Sequence, residues 1–207
     1  SSDLVLNARK NARRPLGLYD FAPISDGATA LILASEKVAR KFTDKPVNIL
    51  GSSSATDYLT FPARKRMTHF LATETAMRSA LKMAGISLWD IQVVELYDQS
   101  TVMEMISLED LGLCEPGRAW MSIYESCQDY KGYYEIDGRK LFVNMNGGLK
   151  ADGNPLGATG GAQIFEVFKQ LRGEARERQV EIDREPKHGC VLELEGFGTK
   201  GYVYILG

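Results

Sequence analysis

The spacing of apolar positions changes several times along the chain, and each change predicts an element. Residues 28–34, Ala-Thr-Ala-Leu-Ile-Leu-Ala, are almost wholly apolar, the pattern of a strand covered on both faces, although periodicity alone leaves a buried helix open. A short helix is expected over residues 35–41. Pro46 then marks the entry to a second strand at residues 47–51, where a new domain begins. Over residues 68–84, Leu71, Ala76, Met77, Ala80, Leu81 and Ala84 recur at three- and four-residue intervals, which predicts an amphipathic helix stopped by Gly85. Residues 91–96 read as a strand that delivers Tyr97-Asp98-Gln99-Ser100 at its carboxyl end, before a helix at residues 101–111. In open α/β sheets that end is where ligands bind.

Residues 114–140 are polar and aromatic, with a turn expected at Asp137-Gly138, and read as an excursion from the core. A strand at residues 141–143 runs into a glycine-rich loop, followed by a helical stripe of Ala162, Phe165, Phe168 and Leu171. Residues 189–194 and 201–206 alternate enough to form a closing hairpin. The sum is an α/β protein with a βαβαβ layer and a terminal antiparallel pair.

Composition narrows the function classes. Against 25 Lys+Arg stand 27 Asp+Glu, a net charge of −2, so there is no general attraction for nucleic acid or an anionic membrane. No apolar run approaches the ~20 residues of a membrane span. The three cysteines, Cys114, Cys127 and Cys190, lack CxxC spacing, which predicts neither a disulfide framework nor a zinc site and makes a reducing cytoplasm the expected compartment. His69 and His188 have no partners at metal-ligand spacing, so no metal is expected.

Residues 147–161 hold six glycines, with Pro155 suited to an early helical position. Such a loop lets backbone N–H groups approach a carbonyl oxygen or phosphate at a helix amino terminus. The same glycines would also serve a strand-to-helix turn that needs them for geometry alone. The loop lacks the Gly-Lys-Ser/Thr ending of a P-loop.

The stretch Gly147-Gly148-Leu149-Lys150-Ala151-Asp152-Gly153-Asn154-Pro155-Leu156-Gly157-Ala158-Thr159-Gly160 resembles the thiolase signature Gly-Gly-x-x-x-x-Gly-His-Pro-x-Gly-Ala-Thr-Gly, with asparagine in place of histidine. Residues 25–31, Ser-Asp-Gly-Ala-Thr-Ala-Leu, resemble the Asp-Gly-Ala strand of the same family. Val94-Glu95-Leu96-Tyr97-Asp98-Gln99-Ser100 stands where thiolases carry Glu-x-His-Asp-x-Phe, in the form of the sterol-carrier-protein and archaeal branch. The resemblance implies that residues 46–207 are a carboxy-terminal thiolase-like domain. Residues 1–45 are then the end of the loop region with the last strand and helix of a preceding half. That half, on the same or a separate chain, would hold the nucleophilic cysteine.

The resemblance also implies roles. The substrate would be an acyl-CoA thioester, with coenzyme A as its carrier. Asn154, in the place of a histidine, can donate a hydrogen bond but cannot act as a base. Tyr97 replaces a second histidine and is the candidate acid or base, either directly or through Asp98; a tyrosine ordinarily ionises near ~10. Gly153 and Gly157, with Gly196 and Gly198 of the closing hairpin, would line the CoA-ester site, and Glu193 aligns with a cysteine of degradative thiolases. The partners implied are the missing half, a second copy in a homo-oligomer, and an OB-fold, zinc-ribbon protein. A non-catalytic CoA-ester-binding or scaffold subunit is the alternative.

Overall fold

Among the described residues, six strands pair into one mixed sheet in the order β1-β6-β5-β2-β4-β3. The computed structural model describes residues 15–129, 132–182 and 186–207. The strands are β1 (Ile49–Thr56), β2 (Val93–Leu96), β3 (Tyr134–Ile136), β4 (Arg139–Val143), β5 (Gly189–Glu195) and β6 (Lys200–Leu206). β2 lies parallel between β4 and β5, while β5–β6, β6–β1 and β3–β4 are antiparallel. The helices are α1 (Glu36–Ala39), α2 (Leu71–Ala84), α3 (Thr101–Asp110), α4 (Ala119–Asp129), α5 (Gly148–Asp152) and α6 (Thr159–Arg172).

Two-residue alternation sends neighbouring side chains to opposite faces of the sheet. Val94, Leu96, Cys190, Leu192, Val203 and Ile205 form one core with Phe70, Met77 and Ala80 of the α2 region and with Met103 and Ile106 of α3. Each large side chain buried there contributes ~1.5–3 kcal/mol. Val93, Val191 and Phe142 face the other way, against Val167 of α6. α2 ends where its pattern predicts, with Gly85 in the left-handed conformation and its N–H bonded to Leu81 O. Ser100 caps α3, its Oγ accepting from the Met103 N–H at 3.3 Å.

Three expectations need correction. Residues 28–34 adopt no regular secondary structure and pair with no described strand, and Ile32 is 98% exposed. A strand exists only through its neighbours, and no described strand pairs with this segment. Residues 114–140 are not merely an excursion: they contain α4 and the β3–β4 hairpin, whose turn residues Asp137 and Gly138 both have positive φ. The stripe expected on α6 is not its buried face. Phe165 is exposed, while Thr159, Gln163, Glu166, Val167 and Gln170 are buried. The buried polar side chains find partners in the 178–180 segment: Arg178 Nη2 donates to Glu166 Oε2 at 2.8 Å, Gln170 Nε2 to Arg178 O at 2.7 Å, and the Val180 N–H to Gln170 Oε1 at 3.0 Å. The polar segment before Pro15 and Tyr130 lie outside the described residues. Among the described residues no helix is long and apolar enough to cross a membrane.

Candidate active site

The carboxyl end of β2, the turn into α6 and the β5–β6 hairpin meet around a cleft of ≈ 390 Å³ lined by Tyr97, Leu156, Gly157, Gly160, Glu193 and Gly196, among others. Tyr97 sits just past the last residue of β2, so the parallel register with β5 fixes its position. The turn between α5 and α6 is held from below by Asn154, which is fully buried.

The polarity of the Asn154 amide follows from its partners. Its Oδ1 accepts from the Leu156 N–H and from the Thr159 hydroxyl, both at 3.1 Å. A backbone N–H can only donate, so the amide nitrogen must face the other way, where Nδ2 donates to the Tyr97 hydroxyl oxygen at 2.9 Å. With one lone pair engaged, Tyr97 keeps its own proton free to donate into the cleft. Leu156 adopts φ 50°, a left-handed conformation unusual for leucine, and its bond to Asn154 holds it there.

Residues 21–25 strap this turn. The Ser25 N–H donates to Asn154 O at 3.2 Å, the Asn154 N–H to Pro23 O at 2.8 Å, and the Ala22 N–H to Gln99 O at 2.9 Å. The segment expected to end the preceding half thus contacts the site through its backbone.

The structure brings Tyr97, Asn154, Gly157 and Gly196 together and places the other expected site residues elsewhere. Asp98 turns away from the cleft: its Oδ1 accepts from the Leu149 N–H at 2.9 Å. It is thereby an anchor for the first turn of α5, not a relay for Tyr97. Gly148 makes this contact feasible, because a Cβ there would lie 2.0 Å from Asp98 Oδ2. Gly153 lines a smaller cavity with Glu95 and Gln163, and Gly198 lies against the Phe70 ring. Arg64 is 7% exposed and donates to Tyr58 O, Phe197 O and Thr199 Oγ1, so it serves the fold; with Lys65, Arg66 and His69 it lines a cleft separate from that of Tyr97.

Burial pushes the Tyr97 hydroxyl above its ordinary range; the Asn154 bond opposes this, and the charge of Glu193 adds to it. Tyr97 is therefore a proton-bearing donor near neutrality and a poor base. Burial also pushes the Cys114 and Cys190 thiols up to about 12, which leaves both inert. Among the described residues no group of three or more His, Cys, Asp or Glu is placed to hold a metal ion.

Glu193 is the group whose importance sequence patterning understates. It stands on the cleft wall, and its Oε2 is buried without a hydrogen-bond partner. The signal is a carboxylate between Leu192 and Leu194, in a strand otherwise apolar up to its last residue, Glu195.

Residues 53–207 match the family described as thiolase C-terminal domain-like. The chain is 44% identical to an acetyl-CoA acetyltransferase of Methanothermobacter thermautotrophicus over 191 residues, covering 92% of this chain and 47% of that protein. It is 38% identical to human (Homo sapiens) sterol carrier protein 2 over 170 residues, covering 80% of this chain and 30% of that protein. Among solved structures, the Ltp2-ChsH2(DUF35) aldolase superposes with a TM-score of 0.75 at 22% identity, over 98% of this chain and 50% of that one, which is a likeness of fold. The chain spans about half the length or less of these relatives. With the glycine-rich turn, the Tyr97 strand end and the closing hairpin assembled around one cleft, the chain belongs to the thiolase superfamily, in the branch of the archaeal acetyl-CoA acetyltransferases and sterol carrier protein 2.

Proposed function

We propose that the protein acts on acyl-CoA thioesters, making or breaking the bond between the α and β carbons of the acyl group, with the Tyr97 hydroxyl donating to the thioester oxygen. The observation that carries this reading is the fixed polarity of the Tyr97–Asn154 pair. A donor held in place before reaction loses little to reorganisation when negative charge gathers on the oxygen. Removing one such donor elsewhere costs about 10²–10³ in rate. Asn154, enclosed behind Tyr97, is a positioning residue. Gly157 and Gly196 add no side chain of their own to the cleft wall.

A preceding thiolase half, on this or another chain, would cover Ile24, Ile32, Leu33 and Phe165, which are exposed here. The coverage of about half or less of each relative supports this. Homo-oligomerisation and an OB-fold, zinc-ribbon partner follow from the resemblance. One observation favours a CoA-ester-binding subunit without turnover: Asn154 cannot ionise.

Calorimetric titration of the full protein with CoA and acetyl-CoA, beside turnover assays of wild type and Tyr97→Phe, tests the reading. Binding with loss of ~10²-fold in turnover for the variant is expected. Equal turnover by both proteins would remove Tyr97 from the chemistry, and binding without any turnover would favour the subunit reading.

A further inference from the structure

We infer that Glu193, rather than Tyr97, is the acid/base of the cleft, taking a proton from the α-carbon of the bound thioester and returning it. The inference rests on the acyl-CoA reading above and names the residue that moves the proton in the same site.

Glu193 is the fifth residue of β5 and points to the α6 side of the sheet with Val191. There it meets the first turn of α6 at Gly160, where a Cβ would stand 3.4 Å from Glu193 Cγ. That is van der Waals distance, so the first turn of α6 packs directly beside the carboxyl group at the cleft wall. One of its oxygens is buried with no partner. Buried carboxyl oxygens are normally hydrogen-bonded, as those of Asp98 and Asp110 are here; Glu95 shares the unpartnered state, but of the two only Glu193 lines the cleft with Tyr97.

The surroundings suit the role. The titratable groups facing Glu193 are Tyr97 at the end of β2 and Glu195 and Tyr202 of the hairpin, while α6 contributes the uncharged Gly160. Glu195 is already engaged by Lys200 at 3.0 Å and by the Tyr202 hydroxyl at 3.1 Å. Burial pushes the Glu193 carboxyl up to about 8. A group that ionises near the working pH is better matched to proton transfer than a tyrosine displaced upward.

The step balances within the site. The Glu193 carboxylate takes a proton from the α-carbon, and the C–H electron pair becomes the Cα=C bond of the enolate. The carbonyl π pair moves to the thioester oxygen, which receives the hydrogen bond from Tyr97. When the enolate is quenched, or after it has attacked a carbonyl carbon, Glu193 gives the proton back.

The test is α-proton exchange of acetyl-CoA in D2O, followed by mass spectrometry or NMR across pH 6–10, with the full protein and its Glu193→Gln, Glu193→Asp and Tyr97→Phe variants. Calorimetric affinity for acetyl-CoA serves as the folding and binding control. The expected result is about a 10²-fold or greater fall in exchange for Glu193→Gln with affinity retained. Glu193→Asp should keep measurable exchange with a pH profile that still rises, because it still ionises. Glu193→Gln exchanging at the wild-type rate and pH profile would overturn the inference. A defect confined to Glu193→Gln, with Tyr97→Phe at the wild-type rate, would support Glu193 and sink the Tyr97 donor instead. Failure of the wild-type protein to bind acetyl-CoA would overturn both.

Discussion

Replacing Asn154 by alanine removes three side-chain hydrogen bonds from a fully buried position: two accepted by Oδ1 and one donated by Nδ2. Each ordinary bond contributes ~1 kcal/mol net, and a buried group left without a partner costs ~1–3 kcal/mol. The Leu156 N–H and the Thr159 hydroxyl are both stranded, and Leu156 loses the bond that holds it at φ 50°. Allowing for relaxation of the turn, Asn154→Ala should lower unfolding free energy by about 2–4 kcal/mol, read from the midpoint of a urea titration. In a double-mutant cycle with Tyr97→Phe, a coupling of ~1 kcal/mol is expected. Asn154→Asp is the sharper probe of polarity. One carboxylate oxygen can still accept from Leu156 and Thr159, but the other accepts from Tyr97, turning the phenolic proton away from the cleft. That variant should retain acetyl-CoA affinity better than turnover. A change below about 0.5 kcal/mol for Asn154→Ala, or full turnover by Asn154→Asp, would refute the argument that this amide sets the direction of the Tyr97 donor.

Other perturbations test neighbouring parts of the framework. Because the folded protein raises the Glu193 carboxyl from 4.5 to about 8, its stabilising effect is complete below about pH 4.5 and is lost as pH rises through about 8. Urea midpoints measured at pH 5 and pH 9 should therefore fall more for wild type than for Glu193→Gln. Gly148→Ala places a methyl group on the Asp98 carboxylate at a position with φ 63°, and should cost about 2–4 kcal/mol in the same titration. Arg64→Ala removes three hydrogen bonds that tie residues 58, 197 and 199 together and should lower the melting temperature, with Arg64→Lys recovering little because an ammonium group cannot span the fork.

Sequence patterning located the elements whose signals are local. α2 carries its stripe and its stop glycine within 15 residues, and the β5–β6 hairpin carries its alternation across a short turn. The glycine-rich turn was equally plain, since its glycines and Pro155 are restricted by backbone conformation wherever they stand. Asn154 and Tyr97 were identified through resemblance of short motifs, and the fold through the order of those motifs. By itself, the sequence therefore determined the α/β class and the segment that builds the cleft, because backbone restriction and helical or strand periodicity act over a few residues, and it determined the family through the resemblance of its short motifs.

Only the tertiary structure decided the rest. Whether residues 28–34 form a strand depends on a ladder partner that no local pattern reveals. The polar buried face of α6 depends on the 178–180 segment folding back to hydrogen-bond Glu166 and Gln170. Asp98 lies next to Tyr97 in sequence, yet the reversal of direction between adjacent side chains aims it at Leu149 rather than at the cleft. Glu193 lies 96 residues beyond Tyr97 in sequence and shares its cleft because β5 pairs in parallel with β2. Ladder register and layer packing are long-range choices made by burial and hydrogen-bond completion over the whole sheet, and they set which ionisable groups meet.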